Sequence, residues 1–181
     1  MQAKNFQSIS KFLSWFFKIS AGLSIIGAIV ALISYFSDIL TFDNLSFVVL
    51  EMDSSFSLLV GDPRITQLEY AKAGLLAAPL FLALMSYLFI QSSRLFDRLV
   101  RGESPFTVEF SEKVKKISYL LAITDLTVPL FYSLLVNFIA KTGTYFYLGL
   151  SHWTLIALIL YVVSGILNYG ISLQKLSDET V

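Results

Sequence analysis

One acidic residue, Asp125, stands in the middle of a long apolar stretch and is the strongest candidate for chemistry in the sequence. A carboxylate at the centre of a bilayer costs at least about 2.5–3.5 kcal/mol on insertion scales, so it must find polar partners or be protonated. Side chains that could serve as partners are Thr124, Thr127 and Asn137 of the same stretch, and Ser86 and Tyr87 of the preceding one. The sequence therefore predicts an intramembrane polar site of Asp125, Thr124, Thr127 and Asn137.

Two interpretations of this polar site stay open. In one, the carboxylate is a proton- or ion-linked transport site; in the other, it forms internal hydrogen bonds that hold the helices together. Pro129, four residues after Asp125, and Pro79 in the preceding stretch each remove a helix hydrogen bond, and paired breaks can mark transport sites. These breaks do not fall in matching halves of a repeat, so the structural interpretation is favoured.

A second candidate is a group of basic residues between the second and third apolar stretches. They are Arg94, Arg98, Arg101, Lys113, Lys115 and Lys116. Together with the turn residues Gly102, Pro105 and Phe106, they predict a surface that docks a cytoplasmic protein or contacts anionic lipid headgroups. The simpler interpretation is that these charges only keep the segment on the cytoplasmic side.

Other kinds of chemistry find little support among the residue types. The chain has no cysteine and a single histidine, His152, which excludes thiolate and histidine-rich metal sites within one chain. It contains no nucleophile elbow, Gly-rich phosphate loop or zinc-protease motif. Because the formal net charge is zero, no direct nucleic-acid partner is expected. We predict a protein that is not an enzyme and needs no metal or cofactor.

The elements that must position these residues are four apolar segments. Of 181 residues, 56% are hydrophobic and only 14% charged, whereas soluble domains carry roughly 25% charged residues. Each segment reaches the roughly 20 residues needed to cross a hydrocarbon core, where the backbone must satisfy its own hydrogen bonds. We predict an all-α membrane protein, a single bundle of four transmembrane helices. The predicted helices are residues 12–40, 71–101, 108–139 and 151–175.

The loop 43–70 is predicted to lie outside the cytoplasm and to contain a small β-hairpin. Two β-rich runs, 46–52 and 56–60, flank a short polar turn. An isolated hairpin is marginal in water, so it must lie on the bundle or pair with another segment. Asp62, which precedes a proline, predicts the N-cap of the second helix.

The segment 93–116 is predicted to form a cytoplasmic helical hairpin. Gly102 offers a left-handed end to one helix, and Thr107 can cap the next. Asp97 and Arg101, four residues apart, are expected to form an ion pair on the first helix.

Basic residues also predict the orientation in the membrane. Ten of the thirteen lysines and arginines lie at the start of the first helix, between the second and third, or after the fourth. Because positive loops stay in the cytoplasm, both termini and the hairpin are predicted to be cytoplasmic.

Two motifs carry a resemblance to a known family. LFDRLVRGESPFTVE at residues 95–109, and LNYGISLQK at 167–175 with DETV at 178–181, resemble the DUF2975 family of small bacterial membrane proteins. Phe110 stands where that family has asparagine, and Ser104 is an extra residue, so no role of that asparagine is carried over. The resemblance implies a four-helix membrane fold without an assigned activity. Members often lie beside genes for small helix-turn-helix regulators, which implies a regulator of this kind as a partner.

These observations predict a non-catalytic interaction or regulatory component of the membrane that acts through the cytoplasmic hairpin. A small transporter built around Asp125 is the competing class. A subunit that works only as a homo-oligomer is a third, because four helices enclose little cavity of their own.

Overall fold

The computed structural model describes residues 2–37, 54–140 and 143–179 of the chain. Its elements, in chain order, are α1 (Gln2–Ser37), β1 (Ser54–Gly61), α2 (Gln67–Val100), α3 (Val108–Ile139), β2 (Tyr145–Ser151) and α4 (His152–Glu179). All four helices are long and apolar enough to cross a membrane. The predicted set of four long apolar helices is therefore confirmed. We call the end of the bundle that carries residues 101–107 the turn end, and the end that carries β1 and β2 the sheet end.

Two helix starts differ from the prediction. α1 begins at Gln2, ten positions before residue 12, because hydropathy marks only the apolar part of a helix and no glycine or proline interrupts the polar part. α2 begins at Gln67, with Thr66 and not Asp62 as its N-cap. Thr66 and Glu69 form a capping box, in which the Glu69 carboxylate accepts a 2.8 Å bond from the Thr66 N–H.

Small residues line the contact between α1 and α2. The buried positions of α1 recur at intervals of three, four or seven: Ser10, Ser14, Ala21, Ser24 and Ala31. Ser86 of α2 donates a 3.2 Å hydrogen bond to the Ala21 carbonyl of α1. Such residues let two helix backbones approach closely, which is how helices associate when lipid removes the hydrophobic drive between them.

α4 packs on α3 with a seven-residue repeat and is displaced toward the turn end. Ser111 donates to the Ser164 carbonyl at 2.9 Å, and Ser118 donates to the Ala157 carbonyl at 2.8 Å. Continued along α3, this antiparallel register places the first turn of α4 beside Asp125, halfway along α3. The sheet-end half of α3 therefore has no α4 beside it.

The two-stranded sheet occupies that place. β1 and β2 pair antiparallel, with Leu58 opposite Leu148 and Gly61 opposite Tyr145. The strands are separated in sequence by α2 and α3, so the pair is not a hairpin within the loop 43–70. Of the two predicted runs, 56–60 lies in β1 and 46–52 lies outside the described residues. The described partner of β1 comes from the α3–α4 connection because β2 runs along α3.

The helical hairpin at the turn end agrees with the prediction in its boundaries. Arg101 is the C-cap of α2, Gly102 has φ +80°, and Thr107 caps α3 by accepting a 3.3 Å bond from the Phe110 N–H. Buried leucines of α2 pack against Phe110 and Val114 of α3.

The ion pairs of this hairpin differ from the prediction. Asp97 pairs with Lys18 of α1 at 2.9 Å, and Arg101 pairs with Glu103 at 3.0 Å. The expected Asp97–Arg101 pair is replaced because α1 brings a lysine to the same side of α2.

Candidate functional site

Asp125 accepts hydrogen bonds from the first residues of α4. Its carboxylate takes the Ser151 N–H at 3.1 Å, the Ser151 hydroxyl at 2.5 Å and the Thr154 hydroxyl. Ser151 in turn accepts the Trp153 N–H at 3.2 Å, so it acts as the N-cap of α4. A carboxylate beside a helix N-terminus also meets the positive end of the helix dipole. Asp125 thus completes, from α3, the cap of a neighbouring helix.

The partners expected for Asp125 lie elsewhere. Thr124 is buried and donates to the Leu120 carbonyl of its own helix at 2.7 Å, while Thr127 is exposed. Asn137 lies twelve positions beyond Asp125, about 18 Å along the helix. Ser86 bonds α1, and Tyr87 is exposed. The structure therefore does not bring Asp125, Thr124, Thr127 and Asn137 together into one cluster.

A stripe along α3 connects Asp125 with Asn137 in another way. Asp125, Pro129, Ser133 and Asn137 recur every four residues, a spacing of about 6 Å along a helix. Alternate residues of β2, from Ser151 back to Tyr145, lie about 6.6–6.8 Å apart along a strand. Because the two spacings are similar, every fourth residue on one face of α3 can lie beside every second residue of β2.

Side chains of this stripe bond the backbone of β2 like a neighbouring strand. The Asn137 amide donates to the Tyr145 carbonyl and accepts the Tyr145 N–H, both at 2.7 Å. The Ser133 hydroxyl accepts the Tyr147 N–H at 2.9 Å and lies 3.2 Å from the Tyr147 carbonyl. With Asp125 on Ser151, three α3 side chains bond the backbone of Tyr145, Tyr147 and Ser151 along the edge of β2 that β1 does not reach. We call Asp125, Ser133 and Asn137 the edge stripe.

Aromatic rings close the sheet-end side of the edge stripe. The ring of Tyr145 packs edge-on against Tyr70 and Tyr132, with centroids 5.2 and 5.8 Å away, and the Tyr132 hydroxyl donates to the Tyr70 carbonyl. All three tyrosines are therefore packing groups.

The turn that leads into α2 is held by Asp62, which was expected to cap the helix. Its carboxylate accepts the Arg64 N–H at 2.9 Å and pairs with the Arg64 guanidinium at 2.6 Å. These bonds, the guanidinium bond first, lower the pKa of Asp62 to about 2. Gly143, with φ +112°, lies so close that an added Cβ would fall 2.9 Å from the Asp62 Cβ.

Three of the six basic residues at the turn end have acidic partners within the hairpin. The Glu109 carboxylate binds Arg98 at 2.7 Å and Lys113 at 3.0 Å, and Glu103 binds Arg101 at 3.0 Å. The Arg98–Glu109 pair joins α2 to α3, and the charge of all three basic residues is partly neutralised there.

The remaining basic residues face outward. Arg94 and Lys116 are exposed, and neither has an ion pair with another residue in the described part of the chain. The Lys115 ammonium lies 5.8 and 5.7 Å from the ring centroids of Tyr119 on α3 and Tyr161 on α4. That distance is typical of a cation–π contact.

The turn itself presents one aromatic side chain. Phe106 is half-exposed, and its ring would lie 3.3 Å from a Cβ added to Gly170 of α4. Pro105 beside it is half-buried, and Ser104 accepts the Phe106 N–H at 3.2 Å. Gly102, Pro105 and Phe106 thus form an ordered turn that touches α4.

A polar network between α1 and α2 was not anticipated. The Asp97 carboxylate accepts the Ser14 hydroxyl at 2.5 Å and pairs with Lys18 at 2.9 Å, and Ser14 lies 3.3 Å from the buried Ser93 hydroxyl. The sequence could have indicated this network. Lys18 lies inside an apolar run with Ser14 one turn earlier, and this spacing predicts a polar face on α1.

No group of three or more His, Cys, Asp or Glu residues that could hold a metal ion occurs among the residues that the structure describes. Comparison of the chain with protein-family models, with curated proteins and with solved structures found no match. The resemblance to the DUF2975 family accordingly stays a prediction.

Proposed function

We propose that this chain is an integral membrane protein of a bacterial cytoplasmic membrane, with four crossings and both termini in the cytoplasm. We further propose that it is a non-catalytic interaction or regulatory component that acts through the hairpin at the turn end.

The four apolar helices support the proposal that the chain crosses a membrane four times. The biased distribution of lysine and arginine supports the orientation.

The proposed function rests on one observation about the basic residues at the turn end: some form ion pairs inside the hairpin, and others stay unpaired at the surface of the part that the structure describes. Arg98, Arg101 and Lys113 form the ion pairs inside the hairpin. Arg94 and Lys116 stay exposed, on a scaffold that is capped at both helix ends. A folded turn with unpaired surface charge beside it and an exposed Phe106 suits recognition of a partner, because the backbone of the turn need not be ordered on binding.

A small helix-turn-helix regulator is the partner that the family resemblance implies, and a second copy of the chain is the other. The chain itself is not expected to contact nucleic acid, because its formal net charge is zero.

The transport alternative built on Asp125 has less support than the structural role. All described bonds of its carboxylate go to the start of α4, which gives the acid a task in holding the bundle together. The two roles separate in the Asp125→Asn protein. Loss of stability alone fits the structural role, whereas normal stability with loss of a proton- or ion-dependent flux in liposomes would establish transport.

Partner capture after gentle solubilisation tests the hairpin. The test variant is Arg94→Glu with Lys116→Glu, because these exposed charges brace nothing; the matched control is Lys72→Glu, on the opposite side of the proposed membrane. We expect the specific partners of the wild-type protein to be lost, at least tenfold by quantitative mass spectrometry, only in the test variant. Equal recovery from both variants would contradict docking at the turn end.

A further inference from the structure

The two-stranded sheet is apolar on both faces. Adjacent residues of a strand point to opposite faces, and Leu58, Leu59 and Val60 are consecutive in β1 and 55, 61 and 55% exposed. On β2, Phe146 and Leu150 are also exposed, at 41 and 43%. A sheet of this kind in a water-filled loop would leave a large apolar patch uncovered, which soluble surfaces avoid.

Charged and polar residues on α2 and α3 mark two boundaries with the thickness of a bilayer core. Lys72 and Arg94 on α2 are 22 positions apart, and Lys116 and Asn137 on α3 are 21 positions apart. At 1.5 Å per residue both separations are about 32 Å, close to the roughly 30 Å of a hydrocarbon core. Asp125 lies near the midpoint of the α3 interval.

The sheet lies between these boundaries. β2 is bonded to Asn137 at one end and to Asp125 at the other, so it covers the half of that interval nearer the sheet end. At the same level α1 exposes an apolar surface made of Ile26, Ile29, Val30, Ile33 and Phe36. The apolar faces of the sheet therefore continue an apolar band around the helices.

The edge stripe provides what a strand needs inside lipid. No water is present there to bond an open sheet edge, and each unsatisfied backbone group costs several kcal/mol. Asn137 bonds both backbone groups of Tyr145, the Ser133 hydroxyl accepts the Tyr147 N–H, and Asp125 accepts the Ser151 N–H.

We propose that the β1–β2 sheet is embedded in the outer half of the bilayer, where Leu58, Leu59, Val60 and Phe146 face lipid acyl chains. The fourth crossing is then made by two different structures in series, β2 through the outer half and α4 from the bilayer centre inward. This inference rests on the membrane topology proposed above.

Single-cysteine labelling tests the proposal directly, because the chain has no cysteine of its own. The test variants are Leu59→Cys and Phe146→Cys, at side chains that the protein leaves exposed. The matched control is Thr144→Cys, exposed and two residues from Phe146, and Glu112→Cys reports the turn end. Intact cells are treated with a membrane-impermeant maleimide, and SDS-unfolded protein shows that every thiol can react.

We expect Thr144→Cys to be labelled in intact cells and Glu112→Cys only after permeabilisation. Leu59→Cys and Phe146→Cys should react at least tenfold more slowly than Thr144→Cys under both conditions. Reaction of the two sheet positions at the rate of Thr144→Cys would overturn the embedded sheet while leaving the topology intact. Labelling of Glu112→Cys in intact cells would instead overturn the topology.

Fluorescence quenching gives a second measurement that needs no change in the sheet. Trp153 follows the Ser151 cap and lies level with Asp125, and it is the single tryptophan of a Trp15→Phe protein. In vesicles of lipids brominated at different depths, we expect the strongest quenching by bromines near the chain ends. Strongest quenching by bromines next to the headgroup would place Trp153 at the interface and overturn the proposal.

Discussion

Asp97 and Asp125 each place a carboxylate at the contact between two helices, but different groups satisfy them. Asp97, between α1 and α2, has a lysine ammonium at 2.9 Å and a serine hydroxyl at 2.5 Å, and its side chain is 34% exposed. Asp125, between α3 and α4, has hydroxyls, one backbone N–H and the positive end of a helix. The first is a partly hydrated ion pair, whose contribution is small and screened by salt. The second is a helix cap, whose loss leaves buried donors without an acceptor.

The largest effect should follow removal of the Asp125 carboxylate. Asp125→Ala leaves the Ser151 N–H and hydroxyl and the Thr154 hydroxyl without their acceptor, so we expect the free energy of unfolding to fall by about 3 kcal/mol, at about 1 kcal/mol per bond. Thermal unfolding in detergent measures the change, with Thr127→Ala at an exposed position of the same helix as the control. An effect no larger than that of the control would contradict the capping role.

The next effect should come from the far end of the edge stripe. Asn137→Leu removes both bonds to the N–H and the carbonyl of Tyr145, and because Asn137 is exposed we expect a loss of about 1–2 kcal/mol in the unfolding free energy. The control is the neighbouring exposed residue, in Phe138→Leu. If both variants lose the same unfolding free energy, Asn137 contributes no more than a surface residue. The edge stripe would then not stabilise the fold more than the Asp97–Lys18 ion pair does.

Asp97→Asn should have a smaller effect. Because both side chains are partly exposed, we expect about 0.5–1 kcal/mol for the Asp97–Lys18 pair, to be isolated in a double-mutant cycle with Lys18→Gln. Raising the salt concentration should reduce this coupling energy while leaving the Asp125→Ala effect unchanged. A coupling above about 2 kcal/mol that resists salt would show that Asp97 resembles Asp125 after all.

The smallest effect is expected for a helix that caps itself. Thr107 is the N-cap of α3 and accepts the Phe110 N–H at 3.3 Å from an exposed position. Thr107→Ala should cost about 0.5 kcal/mol, since water can replace part of the lost bond. Melting curves of Thr107→Ala and Asp125→Ala compare a helix capped by its own residue with a helix capped by a residue of its neighbour. Equal shifts in melting temperature would refute the distinction between them.

The sequence predicts the elements of this fold better than their relative positions. Four long apolar runs are sufficient to predict four helices, and Gly102 and Thr107 mark the turn between α2 and α3 because their backbone requirements are local. The start of α2 was wrong by a few residues since two N-cap candidates, Asp62 and Thr66, lie close together. The Glu69 of a capping box decides between them.

The edge stripe could not be found in the same way. Its signal is the spacing of Asp125, Ser133 and Asn137 on one face of α3, but a polar helix face gives no indication of what it bonds. The partner is the edge of β2, which was not predicted as a strand because it is seven residues long and contains a glycine. Prediction from pattern singled out Asp125 and Asn137 correctly as polar residues that need an explanation, and it paired them with the wrong groups.

The wide sequence separation between the two strands has a consequence for biogenesis. β1 leaves the ribosome before α2 and α3, and its partner β2 follows only after both. At about 5–20 residues per second, the roughly 90 intervening residues take about 5–20 s to synthesise. For that interval β1 is an unpaired apolar strand, the kind of segment that chaperones recognise. The sheet can therefore form only after α2 and α3 have been synthesised, and slow translation of this region would lengthen the period in which β1 is unpaired.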